Sequence, residues 1–213
     1  MKQEVKDFKR KELFDYYHKR TNPFLFVTTK IDITNIVNYC KIHKNHYATI
    51  GYFISLAVNE LDCFKYRFEN NKIYKYDSIR PSFVQMLDDD KIGFFSYDMK
   101  NDFKEYIESF ECNQTKLLTK GKSIDVPDQG EVWFSCAPWF EFTSLVVPFD
   151  KNITIPQFIW GKFTEENNRY YTNLMIMAHH GFADGNHISK FLKLLKDKID
   201  DFDKIIKKEV NRS

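Results

Sequence analysis

Residues 170–198 read as an apolar strand, a short polar turn and an amphipathic helix. The turn holds His179-His180-Gly181-Phe182-Ala183-Asp184-Gly185. The run before it, Leu174-Met175-Ile176-Met177-Ala178, has no polar side chain and reads as a buried strand. The helix after it, Asn186 to Lys198, carries an apolar face of Ile188, Phe191, Leu192, Leu194 and Leu195. Gly185 frees the backbone for a tight entry into that helix. A strand end of this kind can present a general base, because histidine is the side chain best matched to proton transfer near neutral pH. Strand alternation sets His179 and His180 on opposite faces, so only one of them can look into a given cleft. Asp184 can orient an imidazole, or it can hold an arginine and shape the loop. An ordinary surface turn is the competing reading, with Asp184 or Asn186 capping the helix. A metal site of His179, His180, Asp184 and His187 is disfavoured, since adjacent histidines on opposite faces do not easily share one ion.

The chain has 213 residues, enough for one domain with a substantial core, and no repeat or low-complexity linker divides it. We therefore read residues 1–213 as a single domain. Its 21 Phe, 12 Tyr and 3 Trp are a heavy aromatic load, fitting a Phe-built core, subunit contacts or an apolar substrate channel. The net charge is only +2 with both signs interspersed, which argues against a nucleic-acid partner. Met1 to Arg20 is charged throughout and does not read as a targeting segment, and no window of roughly 18 apolar residues offers a membrane span. Cys40, Cys63, Cys112 and Cys136 are widely spaced, with neither zinc nor disulfide-framework spacing. These features lead us to expect a reduced, cytoplasmic setting.

Residues 5–20 read as an amphipathic helix ended by Asn22-Pro23. Strand Phe24–Ile33 follows, then a helix through Cys40 and an apolar helix over Tyr47–Leu61. Tyr66–Tyr74 reads as a hairpin with an Asn-containing turn. Ser82–Leu87 and Ile92–Tyr97 flank an acidic turn, and Asp102–Leu118 is a surface helix. Lys120–Gly130 reads as a loop, Val132–Ala137 as a short strand, and Phe158–Phe163 with Tyr170–His179 as adjacent strands joined by a polar linker over 164–169. A last helix runs to about Val210. The mixture predicts an α/β fold, a two-layer sandwich with a mixed β-sheet.

His180-Gly181-Phe182-Ala183-Asp184-Gly185 matches an H-x-x-x-D-G motif, extended by His179 before it and Asn186-His187 after it. Phe134-Ser135-Cys136-Ala137-Pro138-Trp139 with Phe142-Thr143-Ser144 is similar to an S-A-x-P-W…F-T-S segment. Arg10-Lys11-Glu12 through Tyr16-Tyr17 resembles R-x-E-x-F-x-x-Y, and Thr28–Thr34 resembles T-S-K-I-D-I-T. In this order, over nearly the whole chain, these segments resemble the chloramphenicol acetyltransferase family of the coenzyme-A-dependent acyltransferases.

The resemblance implies that His180 is the general base, removing a proton from an acceptor hydroxyl that attacks the thioester of acetyl-coenzyme A. It implies that Ser135 steadies the tetrahedral oxyanion and that Arg10 and Asp184 pair to support the turn. Tyr17, Phe24, Leu25, Phe94 and Val147 fall at acceptor-pocket positions, and Trp139, Lys162 and Phe163 on the coenzyme side. The implied partners are chloramphenicol or another hydroxyl acceptor and acetyl-coenzyme A as cosubstrate, with no metal, in a homotrimer whose sites lie between subunits. A non-catalytic coenzyme-A-binding trimer would need a broken site, whereas His180, Asp184, Ser135 and Arg10 are all present. The chain departs from the pattern chiefly on the acceptor side. Pro23 and Leu25 replace the cysteine and phenylalanine of L-P-C-x-F, and Asn186 replaces an aromatic. Ile159 stands where the family has a threonine, and Leu145-Val146-Val147-Pro148-Phe149 replaces F-x-L-N-V.

Overall fold

The computed structural model describes residues 1–43, 45–121 and 128–207. The apolar run ahead of the turn lies within β10 (Arg169–His179), where Leu174 to His179 are all buried. On one side β10 pairs antiparallel with β2 (Phe24–Asp32), and on the other with β8 (Gln157–Gly161). Beyond β8 come β7 (Glu131–Ala137), β5 (Arg80–Met86) and β6 (Ile92–Ser96). The β5/β7 and β7/β8 pairs are parallel and the others antiparallel, so the sheet is mixed.

One face of this sheet is covered by helices. Phe83, Phe95, Phe134, Phe158, Trp160, Leu174 and Ile176 point into a core shared with α2 (Thr34–His43), α3 (His46–Glu60), α4 (Phe103–Lys120) and α5 (Gly185–Asp200). Among the described residues the other face carries no helix. Phe24, Phe142, Ile159, Met175 and Met177 are buried there beneath Leu145, Val147 and Phe149. The expected two-layer sandwich is therefore present, with its second face roofed by an irregular segment.

The amino-terminal helix is shorter than its pattern suggests. Only α1 (Lys11–His18) is helical, and Lys2–Glu4 form strand β1. β1 pairs with β4 (Lys72–Tyr76), which pairs with β3 (Tyr66–Glu69), making a three-stranded sheet that the sequence did not disclose. The backbone at Val5 is held to Ile73, and Phe8 is buried with Phe14, Ile73 and Phe182, so pairing and packing outcompete helix propensity there. The linker over 164–169 also differs. Thr164–Glu166 form β9, paired with the start of β10 across Asn167-Asn168. Both asparagines have positive φ, 50° and 61°, a turn conformation that Asn tolerates and that suits a two-residue hairpin. Asn70-Asn71 repeat it between β3 and β4. The last helix, α6, spans Phe202–Lys207, and its expected extension to Val210 lies outside the described residues, as does most of the expected loop at 120–130.

Arg67 anchors β3 to the strand that carries Ser135. Its side chain is fully buried and donates to the carbonyl oxygens of Phe64, Tyr66, Gln129 and Glu131, the last at 2.6 Å. Burial pulls the guanidinium down to about 9, which still leaves it charged at neutral pH. Arg67→Met would strip four carbonyls of this donor, and the two buried ones, of Phe64 and Glu131, would each cost about 1–3 kcal/mol when unsatisfied. We expect urea unfolding of that variant to show a loss of at least about 3 kcal/mol, with Arg67→Lys recovering only part of it.

Candidate active site

The turn after β10 is built by backbone bonds first. Phe182 and Ala183 donate N–H to the His179 carbonyl at 2.9 and 3.0 Å, and His180 N–H donates to Pro23 O at 2.8 Å, which ties the turn to the start of β2. Gly181 is required by space. A Cβ there would lie 2.6 Å from Phe14 Cα on α1. His180 is half-buried, and its Nδ1 lies 3.2 Å from the Ala183 carbonyl. A carbonyl can only accept, so Nδ1 carries the proton and Nε2 carries the free lone pair. Tyr17 stacks on the ring at 4.1 Å and 18°.

Arg10 reaches this turn from the residue before α1. It donates to Asp184 Oδ2 at 2.8 Å, to Gly181 O at 3.2 Å and to His180 O at 3.5 Å. Arg10 and Asp184 thus form an ion pair. Asp184 also caps α5, its Oδ1 accepting from the Asn186 and His187 backbone N–H groups, while His187 Nδ1 lies 2.7 Å from the same oxygen and 3.3 Å from the Asp184 backbone nitrogen, closing a capping box. Burial works to raise the Asp184 pKa. Hydrogen bonds from Arg10 and His187 outweigh it and hold the carboxyl well below the usual carboxylate range. The capping role and the arginine role, set out above as alternatives, are therefore performed by one side chain.

His179 faces the other way and is buried among Phe14, Phe24 and Phe182. Gly181 N–H donates to its Nδ1 at 3.1 Å, and its Nε2 lies 3.4 Å from His18 Nδ1. Burial, then the neighbouring His18 and His180, pulls its pKa down to about 3, so the ring is neutral.

The remaining candidates stand apart from this turn. Ser135 pairs with Ile159 on β8, and Ile159 pairs with Met175 on β10. His180 is five positions beyond Met175, just past the end of β10. At roughly 3.3 Å per residue and about 4.8 Å per strand, Ser135 and the His180 ring of one chain are on the order of 15–20 Å apart. Phe94 pairs with Val84 on β5 and alternates with the inward Phe95, so it shares the helix-free face with Ser135, Ile159 and Met175. Val147 packs over that face. Phe24 belongs to the same face at the His180 end, whereas Leu25 packs toward the helix side. Trp139, Lys162 and Phe163 gather where β7 and β8 end, at the opposite end of the sheet from His180. Trp139 is 66% exposed and Lys162 is exposed, while Phe163 meets His46 edge-on at 5.5 Å. Cys136 packs toward the helix-side core, and burial pushes its thiol up to about 11, which suits a buried small side chain.

Nothing in the pattern marks His18 or His46 as a neighbour of these groups. The signal available for His18 was its i+4 spacing from Phe14, which puts both on the inner face of α1. Among the described residues no group of three or more His, Cys, Asp or Glu is arranged to hold a metal ion.

The sheet and its helix layer are shared with solved acetyltransferases. A chloramphenicol acetyltransferase structure superposes with a TM-score of 0.79, covering 93% of this chain and 100% of its own at 23% identity. A probable dihydrolipoamide acetyltransferase of Listeria monocytogenes gives 0.71 over 90% of each chain at 15% identity. The fold is thus that of the acetyltransferases. By sequence, the family model for chloramphenicol acetyltransferase matches residues 2–196. Chloramphenicol acetyltransferase of Clostridium perfringens is 28% identical over 197 residues, 89% of this chain and 93% of its own. Chloramphenicol acetyltransferase 3 of Escherichia coli is 25% identical over 208 residues, 91% of this chain and 94% of its own. The chain belongs to the chloramphenicol acetyltransferase family.

Two outcomes follow from this geometry. Gly181→Ala should push the turn off α1, costing about 1–3 kcal/mol of stability by overpacking, readable as a lowered Tm. The second concerns pH. The unfolded chain protonates His179 near 6.5, whereas the folded chain does so only near 3. His179 therefore leaves stability intact above pH 6.5 and erodes it as pH falls toward 3, with a slope of up to ~1.4 kcal/mol per pH unit. Urea unfolding at pH 7.5 and pH 5 should differ by less in His179→Asn than in the unaltered chain.

Proposed function

We propose that this protein transfers acetyl from acetyl-coenzyme A to a hydroxyl of chloramphenicol, with His180 as the general base. The observation that carries this reading is the bond from His180 Nδ1–H to the Ala183 carbonyl, which leaves the Nε2 lone pair for a substrate proton. Nε2 accepts the hydroxyl proton as the oxygen bonds to the thioester carbonyl carbon. The carbonyl oxygen becomes an oxyanion, and the Ser135 hydroxyl donates to it. Collapse breaks the carbon–sulfur bond, and the proton on Nε2 passes to the departing thiolate. Tyr17, Phe24 and Leu25 flank the His180 end of the pocket, and Phe94 and Val147 supply apolar surface beside Ser135. Trp139, Lys162 and Phe163 stand on the coenzyme side.

The separation of Ser135 and His180 within one chain supports a site completed between copies, which we take to be a homotrimer. Among the described residues no helix is long and apolar enough to cross a membrane. With four free cysteines this supports a cytoplasmic setting.

A second acceptor remains a competing reading because Ile159, with Ser135 directly beside it, is apolar and nearly buried where the resemblance leads one to expect a hydroxyl. The acceptor thereby loses a polar neighbour, and substrate preference depends on such contacts.

The test is release of coenzyme A from acetyl-coenzyme A, with chloramphenicol measured beside a panel of other alcohols and amines. Chloramphenicol should stimulate release. His180→Ala should lower turnover by roughly 100- to 10,000-fold with the assembly intact, and Ser135→Ala by about 100- to 1,000-fold. Turnover surviving in His180→Ala would remove the base assignment. Stimulation by another alcohol but not by chloramphenicol would select the second acceptor.

A further inference from the structure

The reading of His180 as base leaves the histidine pair beneath it, buried His179 and half-buried His18, unused. We infer that His18 and His179 are positioning residues that couple protonation of His18 to the order of the turn presenting His180. The inference rests on that reading for its catalytic consequence and on hydrogen-bond geometry for the coupling.

Gly181 N–H is a donor only, so the His179 Nδ1 that faces it at 3.1 Å holds a lone pair, and the ring proton sits on Nε2. That Nε2–H points to His18 Nδ1 at 3.4 Å, so His18 also presents a lone pair and keeps its own proton on Nε2. When His18 takes a second proton, at Nδ1, two N–H groups face each other across this gap. The rings must then separate, or His179 must move its proton to Nδ1, where it meets the Gly181 N–H. Either outcome costs Gly181 its acceptor. The turn has little slack to absorb this, because Gly181 lies against the Phe14 backbone and its carbonyl is held by Arg10.

The surroundings set the balance. His18 stacks on Phe14 at 5.0 Å and meets Phe68 edge-on, while Phe24 and Phe182 close around His179. Burial and Lys151, from the segment before β8, disfavour a charged His18, and Asp15 on α1 favours it. His18 and, from the opposite side of the turn, His180 both disfavour a charged His179. The coupling predicts that acid removes activity with a steeper dependence than protonation of His180 alone. The acid limb of log kcat/KM should be one unit steeper for the proton taken up by His18.

His18→Asn places an amide oxygen where Nδ1 stands, so it accepts from His179 Nε2–H and cannot take up the proton. His18→Phe keeps the ring stacking and removes the acceptor. Histidine-ring and amide NMR on the whole protein reads the coupling without any turnover. In the unaltered chain the Gly181 amide and His179 Nδ1 resonances should inflect together with His18 below neutral pH, and His18→Asn should remove that inflection. The acid slope of log kcat/KM should be one unit shallower in His18→Asn. At pH 8, His18→Phe should lose roughly tenfold in kcat, about one hydrogen bond's worth, with KM little changed. The same Gly181 inflection in His18→Asn as in the unaltered chain would overturn the coupling, as would a protonated His179 Nδ1 at pH 8. A failure of acetyl transfer with the inflection intact would instead count against His180 as base.

Discussion

The guanidinium of Arg10 is the contact on which the rest of this site depends. It meets Asp184 and the carbonyls of His180 and Gly181, so a charge on the amino-terminal segment fixes backbone 170 and 171 residues away. The pair is only partly buried, with side-chain exposures of 25% and 31%. Isolated ion pairs this exposed contribute little to stability. Its value lies in geometry, because the donors fall on the two peptides that directly follow His180. The small sheet of β1, β4 and β3 supports the same contact indirectly. Phe8 and Phe14 pack against Phe182 and bring the start of α1 to the turn.

On the function proposed above, the sheet divides the chemistry into two stations. The His180 station lies at the end of β10 and draws on α1 and β2. The Ser135 station lies midway along β7, on the face without helices. Strand register fixes the gap between them, and no side-chain rotation can close it. A site drawing on both needs two copies, and the apolar side chains exposed near β7 and β8 (Trp139, Phe140 and Val146) are of the kind that subunit contacts bury.

Much of this was legible in the residues. The apolar run into His-His-Gly gave the interior strand, and Asp184-Gly185 gave the helix start, because both signals are local. The two-residue hairpins were legible only where alternation flanked them. Asn70-Asn71 was, and Asn167-Asn168, with β9 only three residues long, was not. The over-long amino-terminal helix failed for a tertiary reason, since Val5 and Phe8 find partners on β4 and in the small-sheet core that no window of sequence reveals. His18 escaped notice for the same reason, as its partner lies 161 positions away.

Asp184 has one further consequence. The same carboxylate that meets Arg10 also holds the first turn of α5, accepting from the backbone of Asn186 and His187. Helix ends are where thermal fraying begins. Each opening of that first turn releases the carboxylate from its cap and slackens the grip on His180, although the sheet beneath is undisturbed. Warming should therefore silence the chemistry by local melting at the α5 terminus, some degrees before the core gives way.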